Sequence, residues 1–234
     1  MLTIDFDMLD VKPGDLALDA GCGEGRHTFE LVSRGARVFS MDIDMESLRK
    51  TRWVISQMKA KKLFHEMAAC QVHSGDTLKL PFNDSTFDRI ICSEVMEHVS
   101  DDDLACKELV RVLKRGGRIA VTVPSYFSEA VYDVLTYEYF TSPGGHVRKY
   151  VPRKLALILQ RNGLEIYRID FRHSFHTVYW ILRCVVGLHL NGHPVTKLYR
   201  SFLTMSDTSP FMRKIEGFVD YFFPKSLILY AYKK

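Results

Sequence analysis

Short apolar runs alternate with longer segments of helical period from Leu16 to Val123. The run Leu16 to Asp19 reads as a strand, and a helix over Gly25 to Arg34 ends at Gly35, a residue suited to the left-handed position beyond a helix. Arg37 to Met41 is the second strand, closing on Asp42. Met45 to Lys62 then carries Leu48, Val54, Ile55 and Met58 on one helical side, with Asp44 placed as N-cap. Ala69 to Val72, ending near Gly75-Asp76, and the mostly apolar Phe87 to Cys92 are strands three and four. A helix bearing Leu104, Leu109, Val110 and Leu113 follows, and Arg115-Gly116-Gly117 turns into strand five, Arg118 to Val123. Strands and helices alternating at these lengths predict βαβ units and a mostly parallel sheet with helices on both faces.

After Pro124 this rhythm breaks. Pro152 opens a helix over Arg153 to Asn162, Gly163 stops it, and Leu164 to Phe171 and Ser226 to Tyr232 supply strands six and seven. Two long connections remain, about 124–151 and about 172–225, far beyond an ordinary loop, so function is expected in them. One domain spanning 1–234 accommodates all of this.

Composition narrows the function classes. The 234 residues are 47% hydrophobic and carry a formal net charge of +4, with the basic residues in small clusters and not in a stripe, so no nucleic-acid partner is expected. Five cysteines with no C-x-x-C argue for reduced thiols and a cytoplasmic protein. The N-terminus MLTIDFDMLD has no export signal, and Val178 to Leu190, broken by Arg183, is too short to span a bilayer.

Gly21, Gly23 and Gly25 follow the first strand at alternate positions, where the backbone can turn tightly and approach a ligand without Cβ interference. A dinucleotide fingerprint would need the third glycine one residue later. The spacing G-x-G-x-G with Asp19 ahead, followed by Leu80-Pro81-Phe82, Phe87-Asp88, Glu97-His98-Val99 and Leu113-Lys114-Arg115-Gly116-Gly117-Arg118, resembles the class I S-adenosylmethionine-dependent methyltransferases over residues 11 to 123. The resemblance implies a Rossmann-like α/β fold of seven strands, with lid insertions after strands five and six, and S-adenosyl-L-methionine as cofactor. It assigns cofactor contacts to Asp19, Ala20, Gly21, Cys22, Gly23 and Arg26, to Asp42 and Ile43, to Gly75, Asp76 and Thr77, and to Ser93. Asp42 stands where a carboxylate can accept both ribose hydroxyls, Asp76 where an acid meets the adenine amino group, and the Thr77 amide where it bonds a ring nitrogen. Each acid also has a plain reading, as a cap or a turn residue.

Glu94, Glu97 and His98 share a face if the segment after strand four is helical. Their E-x-x-E-H string is similar to that of ubiquinone-pathway O-methyltransferases and small-RNA 2′-O-methyltransferases, in which a distal histidine joins it; His146 occupies the corresponding place. That likeness implies a divalent ion, Mg or Zn, on Glu94, Glu97, His98 and His146, with His98 and His146 as the catalytic pair. Metal-free relatives keep a similar string, so both readings stand. The implied reaction is methyl transfer to a small or lipid-like acceptor, at oxygen; metal-free transfer to carbon or nitrogen, or a non-catalytic cofactor-binding or membrane-surface module, are the alternatives. His173, His176, His189 and His193 read as ordinary pocket or surface residues, and Tyr126, Phe127, Tyr137, Tyr139 and Phe140 as an acceptor-pocket wall. Phe175, Val178, Tyr179, Ile181, Leu182, Val185 and Val186 cluster at helical spacing. That segment reads first as a lid, with peripheral membrane contact or a dimer seam as alternatives. The few residues before the first strand are too short to form a cap, and the acceptor and oligomeric state stay open.

Overall fold

Two-residue periodicity along the strands builds a core on each face of one sheet. The computed structural model describes residues 2–135, 145–187 and 193–234. Its strands are β1 Leu16–Ala20, β2 Arg37–Asp42, β3 Ala69–Ser74, β4 Phe87–Ser93, β5 Leu113–Pro124, β6 Leu164–Arg172 and β7 Ser226–Lys233. They lie in the order β3-β2-β1-β4-β5-β7-β6, parallel except for β7, which runs antiparallel to β5 and β6. Leu18, Ile90, Cys92, Ile119, Val121 and Leu229 point to one face. Their neighbours Ala17, Ile91, Ala120, Ile228 and Tyr230 point to the other.

Helices α2 Arg26–Ser33 and α3 Met45–Ala60 cover the second face, with Leu31, Val32 and Ile55 buried there. Across the sheet, α4 Asp102–Val112 and α6 Pro152–Arg161 bury Cys106, Leu109, Leu155 and Ile158. Each such side chain removed from water contributes roughly 1.5–3 kcal/mol. A short α1, Phe6–Leu9, packs at the amino ends of the strands, where Arg89 donates to the Asp10 carbonyl at 2.6 and 2.8 Å. Just ahead of α1, Asp5 faces Arg172 at the end of β6 at 3.7 Å, and Phe6 within it packs beside His27.

Three expectations change. Arg115-Gly116-Gly117 is not a turn before the fifth strand: β5 already pairs at Leu113 with Phe87, then slips to Arg118 opposite Arg89, and Gly116 at φ +74° takes up the extra residues. Leu104 is exposed, and α4 buries Ala105 and Val112 in its place. The connection after β6 is helical, as α7 Ser174–Val186, α8 Pro194–Thr208 and α9 Pro210–Val219. Helix α7 buries Ser174, Thr177, Tyr179 and Cys184, while Val178 and Val185 of the anticipated apolar stripe face solvent. The connection after β5 contains α5, Tyr126–Leu135; Tyr137, Tyr139, Phe140 and His189 lie outside the described residues. All five cysteines are free thiols, and no helix among the described residues is long and apolar enough to cross a membrane.

Candidate functional site

The strand order reverses between β1 and β4, and a cavity of about 760 Å³ opens there at the carboxyl ends of the strands. Gly21 leaves β1 at φ +73°, and a Cβ there would run into the Val95 side chain. The Gly21 and Cys22 amides donate to the Met41 carbonyl at 2.7 and 3.0 Å, and the Gly23 amide donates to Asp42 Oδ2 at 2.7 Å. These amides stitch the turn to β2 and leave no cradle for a phosphate there. Asp44, not Asp42, caps α3, accepting from the Glu46 and Ser47 amides. Asp42 is thereby left at the cavity wall, its Oδ1 accepting only the Asp44 amide at 2.8 Å.

The wall comprises Gly21, Cys22, Gly23, Arg26, Asp42, Ile43, Gly75, Asp76, Thr77 and Ser93, with Glu24, His27, Leu78, Glu94, Val95, His98 and Val99. Asp19 and Ala20 stay out of it, fully buried behind the turn. Asp19 Oδ2 accepts from Thr28 Oγ1 at 2.7 Å, and burial pushes its carboxyl up to about 6. Asp76 closes a turn through the Leu78 amide at 2.9 Å. Burial lowers His27 to about 3, so its imidazole is neutral. Glu24, Asp42, Asp76 and Glu94 outnumber Arg26 among the permanent charges of the wall, which favours a cationic ligand.

The segment after β4 is a turn, not a helix. Glu94 adopts φ +56°, and the His98 and Val99 amides both donate to the Val95 carbonyl. Glu94 consequently stands outside the set formed by Glu97 and His98, accepting from Thr122 Oγ1 at 3.1 Å and facing Lys225 Nζ at 3.7 Å. Glu97, His98 and His146 do converge, with ligand atoms within 4.8 Å of one another, and the two imidazoles meet edge to face at 4.8 Å. Glu97 is wholly buried and neither carboxylate oxygen has a hydrogen-bond partner; burial, then the charge of Glu94, raises its carboxyl well above the usual range. His146 Nδ1 pairs with Glu129 Oε1, and Glu129 Oε2 is a third buried oxygen without a partner in this cluster. Sequence reasoning missed Glu129; its only signal was an acid within the apolar helical stretch Tyr126–Leu135.

Two further features were unforeseen. His173 and His176 are stacked edge to face at 5.6 Å beneath α9, and burial holds both below the ordinary histidine range, His176 at about 4. Beside them, α7, α8 and α9 enclose an apolar groove of about 770 Å³, walled by Phe175, Leu198, Phe202, Met205 and Phe223 among others. His193 is plainly structural, its Nδ1 accepting the Val195 amide as the cap of α8.

Residues 18–121 match a family model described as a methyltransferase domain. Over that stretch, from β1 into β5, the chain is similar to methyltransferases. It is 35% identical over 113 residues to a demethylmenaquinone methyltransferase of Thermobifida fusca, covering 48% of this chain and 45% of that protein. It is 34% identical over 118 residues to methyltransferase GfsG of Streptomyces halstedii, covering 50% of this chain and 40% of the relative. The chain thus spans less than half the length of either. An S-adenosylmethionine-dependent methyltransferase of Mesorhizobium loti superposes with a TM-score of 0.63 at 15% identity, over 97% of this chain and 95% of that one, a likeness of fold. The family match ends at β5, so both long connections, with His146, Glu129, His173 and Glu216, lie beyond it.

Proposed function

We propose that this chain is a methyltransferase that binds S-adenosylmethionine in the β1–β4 cavity and transfers its methyl group to an oxygen of an apolar, small or lipid-like acceptor. One observation carries the reading: a polar, net acidic cavity at the sheet's switch point adjoins the Glu97, His98 and His146 cluster. Asp42 orients the ribose, Asp76 and the Thr77 amide orient the adenine, and the glycine turn meets the aminoacyl end. The acidic wall suits a sulfonium cation. In the transfer, an acceptor oxygen lone pair attacks the methyl carbon, the carbon–sulfur bond breaks, and its electron pair returns to sulfur as a neutral thioether. Alignment supplies most of the acceleration. His98, at the cavity wall, takes the acceptor's proton, and His146, paired with Glu129, positions it.

The orphaned oxygens of Glu97 and Glu129 beside two imidazoles also fit a divalent cation, with Glu97, His98 and His146 as its ligands. Such an ion, when bound, would acidify an acceptor hydroxyl. The insertion α7–α9 is read as the acceptor cover, its groove accommodating apolar chain. Calorimetry with the cofactor and its demethylated product tests the binding step, and mass detection of a methylated product in a metabolite extract tests the transfer. Absence of cofactor binding by the folded protein overturns the reading. Full turnover in excess chelator removes the ion and leaves His98 as the base.

A further inference from the structure

His173, His176 and Glu216 form a second cluster, away from the one assigned above. We propose that these three side chains bind a divalent transition-metal ion of the zinc class, fastening the start of α7 to α9. Their ligand atoms lie within 4.8 Å of one another. Zinc–ligand bonds of about 2.0–2.2 Å place tetrahedral neighbours roughly 3.3 Å apart, so side-chain rotation alone closes the set.

The independent observation is an unmet need. His173 is 7% exposed, and its Nε2 and the buried Nδ1 of His176 have no hydrogen-bond partner. A buried polar atom left so costs roughly 1–3 kcal/mol, and a shared ion satisfies both nitrogens at once. Burial keeps both imidazoles neutral, the form that coordinates a metal. The backbone frame is fixed as well. His173 adopts φ +72° ahead of α7, the Ser174 amide donates to Asp220 Oδ1 at 2.7 Å, and the Phe175 amide donates to Glu216 Oε1 at 3.2 Å.

Surrounding charge is mixed. Lys225, Arg172 and Arg26 approach the histidines, but each has a partner of its own: Glu94 at 3.7 Å, Asp170 at 3.1 Å and Ser93 at 3.4 Å. Burial first, and then the charges of Asp220 and Asp207, push the Glu216 carboxyl up to about 7, and a bound cation would displace its proton. Two imidazoles with one carboxylate select zinc or cobalt over magnesium, and three protein ligands leave a coordination position open. None of this rests on the methyl-transfer reading.

The test uses the full chain, stripped with chelator and titrated with Co(II). We expect one equivalent to bind with the visible d–d absorption of a four- or five-coordinate site, to be displaced by zinc, and to raise the midpoint of thermal unfolding. His176→Ala and Glu216→Gln should each weaken that binding by about a hundredfold, at the upper end of the cost of losing even an outer partner. His98→Ala should leave the spectrum unchanged, which separates this cluster from the one at Glu97. Wild-type protein that takes up no Co(II) overturns the proposal without recourse to any variant. So does a spectrum that His98→Ala removes and His176→Ala, still folded by circular dichroism, retains.

Discussion

Two cavities of nearly equal volume, about 760 and 770 Å³, sit at the sheet ends and within the helical insertion, yet their walls are built differently. The sheet-end cavity is walled by strand ends whose positions are set by backbone ladders, so polar groups such as Asp42 and Ser93 are held in fixed geometry. The groove is walled by side chains of three helices packed on one another, nearly all apolar. A fixed polar wall can orient a ligand atom by atom. An apolar groove can only exclude water, so the first is suited to a cofactor common to many reactions and the second to a variable acceptor.

The harshest attack on the sheet-end wall is Gly21→Ala. Positive φ and the collision with Val95 together should cost roughly 2–5 kcal/mol, read by chemical denaturation and by loss of cofactor binding. Gly23→Ala, at φ +51° with nothing within 4 Å of the new Cβ, should cost only about 1–2 kcal/mol. Equal losses at the two glycines would remove the close approach of Val95 from the account.

Asp42→Ala should weaken cofactor binding by roughly 1.5–3 kcal/mol, through loss of a charged hydrogen-bond acceptor. Calorimetry on a variant with an unchanged melting curve measures it, and an unaltered affinity would break the assignment of the ribose end.

Acidification acts on buried histidines at both sites. His27, lowered to about 3, stays neutral in the folded chain while the unfolded chain gains a proton below about 6.5. Its stabilising contribution is therefore complete above 6.5 and declines as pH falls toward 3. Between pH 7 and 5 it should lose roughly 2 kcal/mol. The buried acids, Asp19 among them, work in the opposite direction, so the measurement is the difference between wild type and His27→Gln: the variant should show the shallower fall in denaturation midpoint. Parallel profiles would contradict the burial of His27 as the cause.

The smallest effect belongs to the outer side of the insertion. Phe218 is 69% exposed, and Phe218→Ser should change stability by no more than about 0.5 kcal/mol. With the insertion acting as an acceptor cover, wild-type protein should not pellet with anionic liposomes. Salt-sensitive pelleting that Phe218→Ser reduces would replace the cover with a membrane contact.

Legibility in the sequence followed the same division. Asp44 and Asp42 were separable by local logic alone, since a cap must lie one residue before its helix. Glu94 was not: its place on a shared face depended on a helix that the left-handed backbone at Glu94 prevents. The Glu129–His146 pair joins residues 17 apart in the sequence, and no periodicity announces it. His173 and His176 looked ordinary because a histidine's partners and burial are properties of the whole fold.

What the amino-acid order determined by itself was everything enforced within a few residues: strand alternation, the glycine turn, the helix caps, and through them the βαβ sheet and the place of the sheet-end cavity. Tertiary structure alone decided that Glu129 meets His146 and that His173 meets Glu216, whereas the meeting of Glu97 with His146 was anticipated by the likeness of the E-x-x-E-H string. The reason is physical. Backbone conformation is selected by local sterics and hydrogen bonding, whereas convergence of side chains depends on how helices far apart in the chain settle on a common core.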